Sequence, residues 1–402
     1  MKPELHLFII WSKSRYIEGR ILKDIKHNFE VVDLCEVSWS NHNFSNNLSR
    51  FYGENLPSGS HKERHCGRGP FILVVVRDMR PVYEKRDTSK GVKTVNVNLF
   101  DAKSRYRSWS GGGHRVHATN DLRETYHDLT LLFGMDAQAY FRGDINHIEM
   151  RRIDRDLVGS DGWNSIEEIF YILNNTINYV VLRNFESLPH NYTMKSHDDI
   201  DLLVDNYKEI IHIANATKVF RTRYRVHHQV KIKKEYIRFD FRYVGDNYYD
   251  EPWEKEILER RRIHPEGFYI PSTEDYFFSL LYHGLVHKRM LGYDYRKRLV
   301  SLAFDIDMTG VDLELFDRSK TVKRLLNDYL ERRGYSFTEP TDLSVYYNEE
   351  IVGRKRMSFQ RRTIMDIKKL LRPLKNPIRL IKVLLLKLRE LILRLKVKTI
   401  GN

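Results

Sequence analysis

The chain has 402 residues, 41% of them hydrophobic, with 24 Tyr and 20 Phe. That is enough apolar matter for two or three domains with cores of their own. Its two cysteines, Cys35 and Cys66, exclude a disulfide framework and point to a reducing compartment. Lys and Arg number 68 against 54 Asp and Glu, a formal net charge of +14, and 16 of the bases but only 2 of the acids lie in residues 354–402. The tail therefore holds the whole excess, the body is neutral, and nucleic acid is not an expected partner.

No run approaches the roughly 18 apolar residues of a membrane span. The start, MKPELHLFII, lacks the pattern of a signal peptide, so a cytoplasmic chain is expected. Residues 5–10 (LHLFII) predict a buried strand. Ile21, Leu22 and Ile25 give residues 17–28 the spacing of an amphipathic helix. A strand is expected at 29–37, a helix at 43–56 ending near Gly53, a polar loop at 57–69, and at 71–79 a strand buried on both faces. A basic loop follows. Then comes WSGGGHRVHATNDLRETYHDLTLLFG (109–134), whose Leu129, Leu131 and Phe133 continue a helix. Together these make one α/β unit over residues 1–140.

In order and spacing, residues 5–134 resemble a nucleoside diphosphate kinase, a ferredoxin-like fold. That family has a strand ending in His-Gly-Ser-Asp and a Glu eleven residues after the His. Here the run is His117, Ala118, Thr119, Asn120, with Asp128 at the eleventh position. The resemblance implies His117 as a phosphoryl acceptor oriented by Asp128 and Thr119. It also implies Tyr52 and Arg107 as nucleotide-binding residues. An accepting histidine needs one ring nitrogen free and the other held. The chain departs from the family at Trp11, where the family has Lys, although Lys13 is close by, and at His114, where it has Asn. The run Gly111–Gly113 either turns backbone N–H groups toward a phosphate or is a flexible turn. The alternative is a kinase-like domain that binds a nucleotide or only packs.

Residues 141–163 are charged and aperiodic, which suits a domain connection. Ser165 and Glu168 have capping-box spacing and open a helix over 165–177. A strand at 179–183, another at 199–204, a helix near 205–216 and strands near 217–244 follow. In KSHDDIDLLV (195–204), Asp199 and Asp201 share one face of a strand, while Ile200, Leu202 and Val204 take the other. Asp198 precedes them. Carboxylates aimed together repel unless a cation lies between them, and hard oxygen ligands suit Mg2+ or Mn2+. The alternative is an acidic strand end at the surface. Residues 229–244 alternate like two short strands around Lys233–Lys234. Asp240, between Phe239 and Phe241, is costly to bury unless paired or metal-bound. Beside 199–204 it completes a three-carboxylate site.

This stretch resembles the nucleotidyltransferase-fold superfamily, including LicD/fukutin-type phosphotransferases with their Asp-Ile-Asp motif. The resemblance implies a mixed sheet with helices over 164–270 and Asp199, Asp201 and Asp240 as metal ligands. The superfamily's upstream Gly-Gly or Gly-Ser turn is absent. Arg183 and Ser187 stand near its place and, with Lys233, are the candidate nucleotide-binding residues.

Pro271, Ser272 and Asp275 open a helical region over 271–350. His283 and His287 share a helix face there, the spacing of a two-His metal site without a third ligand. With Lys288 and Arg289 they either face an anionic substrate or form a surface patch. Asp305 and Asp307 read as a helix end. In the tail, 351–402, Ile381, Leu384, Leu385, Leu388, Leu391, Ile392 and Leu395 form one stripe, with bases opposite. Such a helix over 378–398 suits an anionic membrane surface or a partner protein. An α/β (α+β) chain is expected, peripheral to a membrane. Its expected activity is Mg2+-dependent transfer of a nucleotidyl or phospho-group from a nucleotide-linked donor to a glycan or lipid-linked acceptor in surface-glycan assembly. Phosphohistidine chemistry at His117, or a non-catalytic nucleotide-binding scaffold, are the alternatives.

Overall fold

The computed structural model of the chain describes residues 2–88, 91–190, 199–220, 226–353, 357–363 and 366. Asp198 and the 378–398 helix lie outside the described residues. The chain is a mixed α/β protein built on two five-stranded sheets.

The first sheet draws on β1 (Glu4–Ile10), β2 (Glu30–Ser38), β3 (Phe71–Asp78), β6 (Val116–Ala118) and β7 (His147–Asp154), in the order β6-β1-β3-β2-β7. The first four run antiparallel to their neighbours, and β7 lies parallel to β2. Alternate residues serve opposite faces. Phe8, Ile10, Ile72 and Val74 pack against α1 (Glu18–Asn28) and α4 (Val97–Trp109). Leu7, Ile9, Leu73 and Val75 join the core that includes residues of α2 (Phe44–Tyr52) and α5 (Leu122–Phe133). The short helices α3 (His61–Cys66) and α6 (Ala137–Arg142) complete this unit.

Two expectations are corrected here. The basic stretch after β3 is not a loop. It folds into a hairpin of β4 (Tyr83–Thr88) and β5 (Gly91–Asn96), followed by α4. Nor is 141–163 a structureless connection, because it contributes β7. What holds that edge is Asp33, fully buried on β2, whose carboxylate takes Arg151 of β7 and the hydroxyl of Tyr140. A buried carboxylate requires such partners.

The second sheet comprises β8 (Tyr179–Val181), β9 (Ile200–Val204), β10 (Thr217–Lys218), β11 (His227–Ile232) and β12 (Glu235–Tyr243), in the order β10-β11-β12-β9-β8. All pairs are antiparallel except β12 with β9. One helix beside it is α7 (Ile166–Thr176), whose cap Ser165 accepts from the N–H of Glu168 as expected. Another is α8 (Tyr207–Ile213). The chain continues through α9 (Glu251–Glu259), a small pair β13 (Arg262–Ile263) and β14 (Tyr269–Ile270), α10 (Thr273–Tyr282), α11 (Tyr293–Asp305), α12 (Ser319–Arg333) and α13 (Glu349–Val352). α10 runs into a π-helical turn at His283–His287. α11 ends at Asp305, as expected. No described helix is long and apolar enough to cross a membrane.

The two units are joined by packing, because α5 meets α7, α2 meets α8, and a single apolar core runs through both. Arg50 of α2, 1% exposed, pins the junction. Its guanidinium donates to the carbonyls of His212 (3.1 Å) and Ile213 (3.2 Å), at the C-terminal end of α8. It also donates to Val158 O (2.6 Å) and Ser160 Oγ (2.9 Å). A cation that satisfies the last carbonyls of a helix also meets the negative end of its dipole. Replacing Arg50 by Met removes the side-chain donor from Val158 O and Ile213 O, while His212 O keeps the Asn215 N–H. It is expected to cost about 3 kcal/mol or more, read from the midpoint and slope of urea unfolding.

Candidate active site

Parallel pairing of β9 and β12 sets the site. Its register places Asp240 directly opposite Asp201, and Phe239 opposite Ile200. Phe239 and Phe241 are buried on the apolar face, so Asp240 and Asp201 share the other face. Both are nearly buried, at 7% and 6% exposed. Asp199, just before β9, is half-buried.

The hairpin of β11 and β12 adds a residue that sequence reasoning missed. His227 lies opposite Asp240. Its Nδ1 contacts the Asp240 carboxylate and is 3.7 Å from Asp199 Oδ2. Asp199, His227 and Asp240 each offer a ligand atom within 4.8 Å of the other two. The signal was in the sequence. A turn at Lys233–Lys234 sets Ile232 against Glu235, and five steps further along each strand His227 meets Asp240.

Two cations serve the three carboxylates, His227 for Asp199 and Asp240 and Arg183 for Asp201. Hydrogen bonds to Asp199 and Asp240 push the His227 imidazole up to about 9. Burial pushes Asp240 up, but the His227 hydrogen bond and Arg242 outweigh it and hold the carboxyl below its usual range. Burial lifts Asp201 to about 6 although Arg183 donates to its Oδ1 at 2.7 Å. Arg242, two residues after Asp240, faces Asp246 at 3.4 Å and Asp342 at 3.8 Å and lies 4.3 Å over the Tyr248 ring.

The remaining candidates divide. Arg183 joins the site through Asp201. Ser187 is exposed in the following loop. Lys233 does not reach the site. It occupies the β11–β12 turn, its N–H on Trp163 O at 2.7 Å. Seven residues of extended strand put it roughly 23 Å from Asp240. His283 and His287 form no surface patch. They are 4% and 3% exposed, with the Tyr248 hydroxyl 2.6 Å from Nδ1 of His283 and the Tyr248 ring 4.1 Å from that of His287. Burial drives both imidazoles well below their ordinary value. They therefore back the arginine layer as neutral groups. Lys288 and Arg289 are exposed just beyond them.

In the first unit, His117 lies opposite Ile9, with Nε2 2.8 Å from Asp128 Oδ2, the pairing expected of it. Thr119 does not take part. Its hydroxyl is engaged by His6, the N–H of Leu7 and Thr125. His117 is 6% exposed, and its ring packs edge-on to Phe51 and Tyr52. Trp11, fully buried, donates Nε1–H to the Tyr52 hydroxyl at 3.1 Å. Arg107 spends its Nε–H on Val116 O at 2.8 Å. Burial pushes Asp128 up to about 7 and His117 down, so the pair favours its uncharged form. The rings of Phe51 and Tyr52 thus stand beside the imidazole, and Trp11 lies behind Tyr52.

Neither a protein-family model nor a curated protein matches the chain.

The pH behaviour of His227 tests the carboxylate cluster in metal-free protein. Its folded value lies above the ordinary 6.5, at about 9. The stability that its ion pairs contribute is therefore complete below pH 6.5 and lost as pH rises through 9. NMR titration is expected to give a midpoint near 9 for His227, moved toward 6.5 in Asp240→Asn.

Proposed function

We propose that the chain is a divalent-cation-dependent transferase of a nucleotidyl or phospho-group, centred on Asp199, Asp201 and Asp240. The observation that carries this reading is the β9·β12 register. It lines two buried carboxylates up across neighbouring central strands, with a third at the strand mouth. The four-strand order β6-β1-β3-β2 also fits the ferredoxin-like fold expected of the first unit.

The donor set fits a hard cation. The carboxylate oxygens of Asp199 and Asp240 are close enough to close on one ion, and His227 already brings positive charge to that position. Bound there, Mg2+ would neutralise and orient the phosphates of a nucleotide-linked donor. The protein's own groups do the rest. Arg183, held by Asp201, carries a second buried nitrogen, Nη1, without a hydrogen-bond partner among the described residues. A phosphate oxygen satisfies such a donor. It supplies charge where the superfamily's glycine turn supplies backbone N–H groups. Asp240 aligns the acceptor hydroxyl and takes its proton. His227 holds that carboxylate in place until the donor and its cation arrive. A basic tail adjoining this unit suits an acceptor presented at a membrane surface.

Assay of the full chain with Mg2+ and a panel of nucleotide-linked sugars and alditols tests the proposal. Asp199→Asn, Asp201→Asn and Asp240→Asn are each expected to lower kcat by at least about a hundredfold while the circular dichroism spectrum is retained. Chelation should abolish turnover, with recovery on adding Mg2+ or Mn2+. Full activity in the Asp199 and Asp240 variants would overturn the assignment.

A further inference from the structure

Away from these carboxylates, one group of three ligating side chains among the described residues consists of histidines alone, in the first unit. His61 and His65 are one turn apart on α3, with ring centroids 4.0 Å apart. His114 closes on them from the loop after α4, its ring 5.7 Å from His65 and 6.3 Å from His61. One nitrogen from each ring lies within 4.8 Å of the other two.

The three-glycine run explains how His114 gets there. Gly111, Gly112 and Gly113 have φ of 85°, 82° and 71°, all in the left-handed region. A Cβ on Gly113 would stand 2.3 Å from Nδ1 of His65. No side chain fits at that position while the loop rests on α3. Two contacts fasten it. The N–H of His114 donates to His65 Nδ1 at 3.2 Å, and the Cys66 thiol to His114 O at 3.6 Å. His61 is exposed and the other two are half-buried, so the trio is open to solvent on one side.

The chemistry selects the ligand. The groups facing the trio are Lys62, Arg64, Arg107 and Arg115. Burial, with Lys62 and Arg107, pushes His114 down to about 4, and burial with neighbouring cations lowers His65 as well. None of the three ligands is a carboxylate, which disfavours Mg2+ or Ca2+, whereas imidazole suits a borderline ion.

The geometry points to a zinc site formed by His61, His65 and His114, three imidazoles with a fourth position open to water or an oxyanion. Ligation through Nδ1 of His65 takes over the lone pair that now accepts from the His114 N–H. The ion ties the glycine loop to α3. The nearby Lys62 ammonium pairs with Glu54 and lies 4.0 Å over the Tyr52 ring.

Tag-free full-length protein, stripped with chelator, is titrated calorimetrically with Zn2+ and optically with Co2+. In Asp199→Asn/Asp240→Asn protein one Zn2+ per chain is expected, with the visible absorption of a tetrahedral cobalt site and a rise in Tm. Each of His61→Ala, His65→Ala and His114→Ala should weaken binding by more than the roughly 10–100-fold that outer-sphere partners cost. His61 is exposed, so His61→Ala keeps the fold and separates ligand loss from unfolding. Asp199→Asn and Asp240→Asn should leave the cobalt spectrum unchanged, which distinguishes this site from the carboxylates. Absence of Zn2+ binding, or binding that survives in His61→Ala and His114→Ala, overturns the proposal. So does binding lost only in the aspartate variants.

Discussion

The second unit depends on keeping negative charge at the middle of a sheet. Asp201 and Asp240 lie opposite each other on adjacent strands, and both are nearly buried. Two carboxylates there repel each other and lose their hydration. The chain answers with one cation for each, Arg183 on Asp201 and His227 on Asp240. Around this layer lie Arg242, Tyr248 and the π-helical turn with its two neutral histidines. Neutrality matters at those histidines. Protonating either would add a third positive charge behind two guanidiniums, and burial already works against it. The buried polar layer is thus poised on the charge of its carboxylates, which is the property a cation-binding centre requires.

That arrangement needs a rigid frame, and part of the frame comes from the first unit. α8 follows directly from β9, and its C-terminal carbonyls are held by Arg50 of α2. Through α2 the acidic strand is braced against the neighbouring sheet. Trp163 reinforces the joint. Its Nε1–H donates to Ala214 O at 2.8 Å, and its ring presses on Gly159 so closely that a Cβ there would stand 2.6 Å from it. The first unit is therefore part of the scaffold for the second, whatever chemistry it carries itself.

Much of this was legible in the sequence where one short pattern fixed one element. The alternation in 199–204 separates acids from aliphatics as the strand does. The capping box at Ser165 starts its helix where the residues say. The paired lysines at 233–234 mark a turn. What stayed hidden rests on partners far apart in sequence. β7 is a polar edge strand whose reason for pairing is Asp33, more than a hundred residues earlier. α4 shows only a thin apolar face of Leu99, Ala102 and Tyr106, in which the buried Lys103 donates to Ala118 O and Asn120. The helix spacing of His283 and His287 was visible, but not the π-turn or the covering segments that bury them. Periodicity reports which face is apolar, not how deep a polar face ends up.

Trp11 ties the aromatic core of the first unit to the surroundings of His117. Its indole is fully buried and hydrogen-bonds the tyrosine beside His117. The same ring packs with Trp39, Phe51 and Phe71. His117 and Asp128 keep their hydrogen bond inside a wall of rings, where burial favours the uncharged pair. The same aromatic cluster stiffens α2, and α2 carries Arg50. Trp11 therefore strengthens the brace under the second unit.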